Sequence, residues 1–426
     1  MEFLSVFGVG LTAVVAWLFI SRLGKTIPIM ELMLLIAGLQ WIVGAVIEYK
    51  NPLNHFKYYM YVPEQEYMNY VVPAYGIFVI VILFRLKKAP WLQIDIESLK
   101  SFKKYGVQIF LLGVFFDLIS GFLPGAIGFF AYLVGNFKFA GAIILFFSED
   151  AKLKRLFYFS LVYLFLRALQ GGMFHDLVLW SVFFFMFWAL KRQPSKTQIV
   201  MTIAIGLFAV ATLQTVKAAY RDKVWKGYGG NKLELFTDLF LEAVLSSGES
   251  NEDYDVEESN VRLNQGWIIS AILDEIPRRV NYLKGETISD AILASIFPRF
   301  LNPNKKKAGG KENFEKFTGL ELGEKTSMGI SIVGEAYGNF GVFGGVLFMG
   351  LWGLVLVWYW DFLLKKSRYN LLLIAFLPLI FLQVVKAETE LAVVLNHLVK
   401  ASIVVFLFFW ATKRFLNWNF RIETKN

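Results

Sequence analysis

Of the chain's 426 residues 56% are hydrophobic, 17% aromatic and only 18% charged, against roughly 25% charged in an average soluble domain. With 43 Phe and 12 Trp it would overfill any water-facing fold, so a soluble globular enzyme is excluded. Cys is absent and His numbers 3, which removes thiol nucleophiles, Cys-containing zinc sites and disulfides and disfavours a multi-His metal centre. Chemistry then falls to carboxylates, Arg, Lys and Tyr, and neither a metal nor another cofactor is expected.

Apolar windows predict spans near residues 3–21, 27–47, 70–84, 106–122, 124–147, 156–169, 174–190, 197–216, 330–363, 370–385 and 391–412. The expected architecture is therefore an all-α polytopic membrane protein of about 11 transmembrane helices. Only Met1 and Glu2 precede the first apolar run, so it is expected to be a retained span and not a cleaved signal.

Lys and Arg accumulate in alternate connections, as the positive-inside rule requires. The basic ones hold Arg22 and Lys25; Arg85, Lys87, Lys88, Lys100, Lys103 and Lys104; Lys152, Lys154 and Arg155; Lys191, Arg192 and Lys196; Lys365, Lys366 and Arg368; and the tail. The intervening short connections hold only Lys50, Lys57 and Lys386. This predicts an N-terminus outside and a C-terminus inside. It also accounts for most of the formal charge of +9 as an orientation signal, with no nucleic-acid partner.

The expected divisions are residues 1–216 as helices 1–8, 217–329 as one large outer loop, 330–412 as helices 9–11, and 413–426 as a cytoplasmic tail. A loop this long usually carries function. Within it Leu233, Phe236, Leu239, Phe240, Ala243 and Val244 recur at helical spacing, predicting an amphipathic helix. Residues 247–260 are rich in Glu, Asp, Ser and Asn and read as an acidic segment. Leu263, Trp267, Ile268, Ala271 and Ile272 mark a second helix, broken near Pro277, and residues 288–297 a third, stopped by Pro298.

Ionisable groups in spans cost about 2.5 to 3.5 kcal/mol at a helix centre, so their depth is informative. On this topology Asp117, Arg167, His175, Asp176, Arg221, Glu335, Lys386, Glu388, Glu390 and His397 all lie toward the outer ends of their spans. The inner halves hold little beyond Asp361, while Lys138 and Lys400 fall nearer mid-depth. The polar groups are thus expected to form an outer pocket open to a lipid-borne substrate.

Three stretches stand out. Arg262-Leu263-Asn264-Gln265 is followed by Asp274, Arg278 and Arg279, and Asp274 and Arg278 are spaced to share a helix face. Pro298-Arg299-Phe300-Leu301-Asn302-Pro303 leads into Lys305, Lys306 and Lys307; Arg forks and lysines suit a pyrophosphate. Gly334-Glu335-Ala336-Tyr337-Gly338-Asn339-Phe340-Gly341 opens a membrane helix. Its glycines are read as close-packing positions, since neither a Walker lysine nor a preceding strand accompanies them.

Together these motifs and the span pattern resemble the Wzy-type polymerases of oligosaccharide repeat units, the O-antigen polymerases of bacterial lipopolysaccharide biosynthesis. The resemblance implies a GT-C-like membrane glycosyltransferase, related to O-antigen ligases, in the bacterial inner membrane. Its active site would face the periplasm. It would transfer a growing glycan from undecaprenyl pyrophosphate to a lipid-linked repeat unit without metal or nucleotide sugar. A flippase and a chain-length regulator would be candidate partners beside the lipid bilayer.

Such chemistry needs cations for the departing pyrophosphate and an acceptor for the hydroxyl proton. Arg221, Arg262, Arg278 and Arg299 are expected in the first role, with Arg279 and Arg167 in reserve. Glu335 is the first choice for the second, followed by Asp274 and His175. Tyr337, Asn339 and Gln265 are expected to contact glycan. An O-antigen ligase-like transferase, a lipid-linked oligosaccharide flippase or transporter, and an assembly scaffold are the alternative readings. None of His55, His175 and His397 falls between 217 and 329, which disfavours a His-based ligase mechanism.

Overall fold

The computed structural model describes residues 2–52, 58–86, 95–246, 263–296, 310–323 and 326–420. Among these, every regular element is helical. The first are α1 (Phe3–Arg22), α2 (Ile29–Lys50, with a π-helical stretch at Leu39–Val43) and α3 (Glu64–Leu86). Next come α4 (Lys103–Ser120), α5 (Gly125–Gly135), α6 (Phe137–Phe146), α7 (Ala151–Gly171), α8 (His175–Arg192) and α9 (Lys196–Trp225). The polar stretch carries α10 (Lys232–Ser246), α11 (Gly266–Glu275), α12 (Glu286–Ile296) and α13 (Lys311–Thr318). The chain finishes with α14 (Ile332–Ser367), a 3₁₀ turn leading into α15 (Leu377–Phe381), and α16 (Leu391–Phe415).

Among the described residues, 7 helices are long and apolar enough to cross a membrane: Phe3–Arg22, Ile29–Lys50, Glu64–Leu86, Ile127–Phe146, Lys196–Lys217, Ile332–Ser367 and Leu391–Phe415. The chain is a multi-pass helical membrane protein. The four remaining apolar windows also fall on helices, but α4, α7 and α8 carry ionisable residues within or at the ends of their apolar runs. Leu371–Phe381 is short; at 1.5 Å per residue it rises about 16 Å, half a hydrocarbon core.

Two compact units emerge. The first comprises Met1–Phe19, Ile29–Ile94 and Leu263–Arg421; the second comprises Ile20–Pro28, Asp95–Arg262 and Ile422–Asn426.

In the first unit α3 packs along α14. A Cβ added at Gly345 would come 2.7 Å from the Tyr70 hydroxyl, and Gly350 and Gly353 lie against Ile77 and Phe78. Small residues on one face let two apolar helices approach closely. Gly341 does something else. Its φ of 68° and ψ of −166° interrupt α14, a conformation open to glycine but strained for residues with a Cβ. The carbonyls of Gly338 and Asn339, just before the break, accept the amides of Leu283 and Lys284 at 3.0 Å each. The segment leading into α12 is thereby fastened to the start of a spanning helix, and α12 packs on α16.

Helix α11 ends where its sequence says it should. Pro277 restricts the residue before it to extended backbone, and Ile276 takes φ −110° and ψ 127°. Trp267, Ile269 and Ile272 are buried, Trp267 against Phe314 of α13 and Ile272 against Gly334 of α14.

In the second unit α4 packs on α6 through Gly113 and Gly141, and the Ser195–Gln198 capping box starts α9. The amphipathic helix expected at 233–244 is α10. Its Phe236 packs against Phe165, Phe174 and Tyr220. Leu235 is buried in the same cluster while Leu233, expected on the apolar face, is exposed; Leu239, Phe240 and Ala243 pack against the cluster as their spacing predicts. The acidic segment at 247–260 lies outside the described residues.

Candidate functional site

The candidate site of the first unit lies at the Glu64 end of α3 and the Ile332 end of α14. Arg278 and Arg279 sit in the turn after α11. The Arg278 guanidinium donates from Nη1 to Asp274 at 2.6 Å and from Nη2 to both oxygens of Glu66 at 2.8 and 2.9 Å. Arg279 donates from Nη1 to Asp274 at 3.0 Å and to Glu275 at 2.8 Å. The Asp274–Arg278 pair therefore forms, but across a turn: the helix expected to present both ends at Glu275, and the amides of Arg279 and Val280 return to the Glu275 carbonyl.

Three carboxylates face two guanidiniums, and both arginines stay accessible, with side chains 48% and 63% exposed. Hydrogen bonding to Asp274 and then the charge of Glu66 push Arg278 above the ordinary guanidinium pKa; hydrogen bonds to Glu275 and Asp274 do the same for Arg279. Both remain cationic at any physiological pH. Such exposed pairs are screened by water and stabilise only weakly, so an incoming anion can exchange with them.

An aromatic wall stands beside the ions. The Tyr337 ring lies 5.0 Å from Tyr70 and 6.0 Å from Tyr282, and the Tyr70 hydroxyl donates to the Val333 carbonyl at 2.6 Å. Arg278 and Glu66 are within electrostatic reach of the Tyr337 phenol.

Glu335 and Asn339 have structural duties. Glu335 is fully buried, and its Oε2 accepts the amide of Leu391, the first residue of α16, at 2.8 Å. It caps a helix N-terminus from another element, a favourable place for a carboxylate. A proton acceptor must reach the substrate hydroxyl. In this structure Glu335 holds the start of α16 through one oxygen, while its Oε1 is buried without a hydrogen-bond partner among the described residues. Asn339 is also buried; its Oδ1 accepts from Gly285 at 3.0 Å, and its Nδ2 donates to Thr287 and to the Glu335 carbonyl at 2.8 Å each. Its amide is occupied on both sides by this fastening. Gln265 caps α11, its amide donating to the Gln40 carbonyl at 3.0 Å while its Oε1 is buried without a hydrogen-bond partner.

The other described candidates belong to the second unit. His175 opens α8 and is exposed. Arg221 on α9 lies 3.9 Å over the Trp225 ring, a cation–π contact. Arg167 on α7 is 4.0 Å from Asp117, whose closer partner is Lys138 at 3.1 Å; the Tyr163 hydroxyl also donates to Asp117. Lys138 is thus a buried, paired cation, bonded in addition to the Gly135 carbonyl at 2.9 Å. Removing one member of a buried pair strands the other. Lys138→Met is therefore expected to destabilise the protein by about 3 kcal/mol, and Lys138→Met with Asp117→Asn by clearly less. Thermal unfolding in detergent checks both; equal losses in single and double variants would show that the pair is uncoupled.

Arg262, Arg299 and the basic stretch 298–307 lie outside the described residues. Glu66 is the partner missed from sequence. Its signal was present in outline, since Glu64 and Glu66 occupy the first turn of a spanning helix after Pro63, where a carboxylate complements the helix dipole.

No curated protein and no solved structure matches the chain. A family described as a domain of unknown function (DUF8712) matches residues 49–361, nearly three quarters of the chain and the whole of the Glu66, Asp274, Arg278 and Tyr337 cluster, and the chain belongs to that family.

Proposed function

We propose that this protein is an integral-membrane glycosyltransferase that polymerises undecaprenyl-pyrophosphate-linked oligosaccharide repeat units. In this reading it works at the outer face of the bacterial inner membrane and releases undecaprenyl pyrophosphate. The observation that carries the reading is the cluster of Arg278 and Arg279, accessible cations at the end of two packed spanning helices and beside a tyrosine wall. Adjacent guanidinium forks suit a pyrophosphate at membrane-interface depth. In the transition state the arginines would stabilise charge growing on the leaving phosphate oxygen. The motifs at 262–265, 298–305 and 334–341 and the alternation of basic connections support the same reading.

The test is reconstitution. Purified protein in liposomes, given undecaprenyl-pyrophosphate-linked repeat units from its own host, is expected to yield a ladder of glycan lengths without nucleotide. A transporter is the second reading, favoured by the buried Asp117–Lys138 pair among apolar helices. It would show instead as labelled lipid-linked oligosaccharide crossing the bilayer with no ladder.

A further inference from the structure

The cluster holds more carboxylate than its two arginines balance, and its carboxylates are not equivalent. Asp274 is gripped by both guanidiniums, one on each oxygen, and its side chain is 20% exposed. Glu275 is 12% exposed and tied to Arg279. Glu66 is 39% exposed, and both of its oxygens rest on a single nitrogen, Nη2 of Arg278. Its other neighbours are the Tyr337 and Tyr49 phenols and, on its own turn, Glu64. Among the described residues only Arg278 compensates Glu66 by direct contact.

A pyrophosphate and Glu66 would compete for the same donors, because both are bidentate oxygen anions that match the guanidinium fork. When the phosphate takes Nη2, Glu66 is left accessible, uncompensated and next to the bond that must break.

We propose that Glu66 takes the proton from the attacking hydroxyl, and that arrival of the pyrophosphate on Arg278 releases it to do so. This rests on the polymerase reading above. In the step, the acceptor sugar's hydroxyl oxygen forms a bond to the donor's anomeric carbon. The bond from that carbon to the pyrophosphate oxygen breaks, its electron pair leaving with undecaprenyl pyrophosphate, and the hydroxyl proton passes to the Glu66 carboxylate and then to water. The ion pair with Arg278 in the resting protein thereby keeps Glu66 from acting before a donor is bound.

Glu66→Gln separates this role from a structural one. In liposomes, transfer is expected to fall roughly 10²- to 10⁴-fold, the usual contribution of a general base. Affinity for undecaprenyl pyrophosphate is expected to hold or to tighten about twofold to fivefold, because a competitor for Arg278 has been removed. Glu66→Asp, which keeps the charge, is expected to recover part of the transfer. If the amide variant does not fold, Glu66→Asp alone reads the same split, slower transfer with donor affinity kept. Transfer by folded Glu66→Gln within threefold of the native protein would overturn the proposal and leave the polymerase reading standing. So would a loss of lipid affinity as large as that of Arg278→Ala. A native protein that makes no ladder from loaded liposomes would overturn both.

Discussion

Arg278→Ala is expected to suppress the glycan ladder by roughly 10²- to 10³-fold, the loss typical when one donor to a developing oxyanion is removed. Among the described residues Arg278 is the one guanidinium that joins α3 to the turn after α11, through Glu66 on one side and Asp274 on the other. Its truncation removes a phosphate fork and leaves two carboxylates facing each other, so an incoming pyrophosphate meets repulsion where it met attraction. Stability should fall by only about 1 kcal/mol, because the side chain is half exposed and its pairs are solvated. Arg278→Lys should restore little, since an ammonium supplies a point charge without the two-pronged geometry. The measurement is ladder formation in liposomes beside thermal unfolding of the same preparations. An active, normally folded Arg278→Ala would remove the pyrophosphate role from this cluster.

Glu335→Ala should show the opposite pattern. The substitution leaves the Leu391 amide without its acceptor, removes a cap from α16 and opens a cavity in a fully buried place. A cost of about 3 kcal/mol is expected from these terms together, enough to halt accumulation of many membrane proteins. Glu335→Gln keeps a carbonyl oxygen for the same amide and is expected to fold and to transfer within roughly threefold of the native rate, far from the 10²-fold or greater loss of a missing base. Expression level and melting temperature read the first variant, and ladder formation the second. A well-folded but inactive Glu335→Gln would return the proton-accepting role to this carboxyl and take it from Glu66.

The helices were largely legible because an apolar run long enough to span a bilayer is a property of composition, readable without knowing any contact. Every expected window fell on a helix, and α10 appeared where the 3.6-residue spacing placed it. The exchange at its first turn, with Leu235 in and Leu233 out, was not legible, since it is set by how far the cluster of Phe174, Tyr220 and Leu169 reaches along the helix. Asp274 and Arg278 were legible as a pair because they are close in sequence. Their link to Glu66 spans 212 positions, and ion pairs of that separation leave no local trace. The contact of Glu335 was not legible for a related reason: a carboxyl in a membrane helix needs a partner, and one of its oxygens found not a charge but the backbone amide of a helix still to come. Gly341 resembled its neighbours in a glycine-rich stretch, and only its φ distinguishes a break from a packing position.

The buckle at that break has a consequence for biogenesis. Residues 283–285 hang from carbonyls and an amide of 338–339, and the same turn of helix holds the Leu391 amide through Glu335. A chain threaded into the membrane from its N-terminus therefore makes Glu66, Asp274 and Arg278 long before it makes the residues that hold their platform in place. A chain cut before Leu391 would carry the arginine cluster but not the contact that Glu335 makes with the last helix.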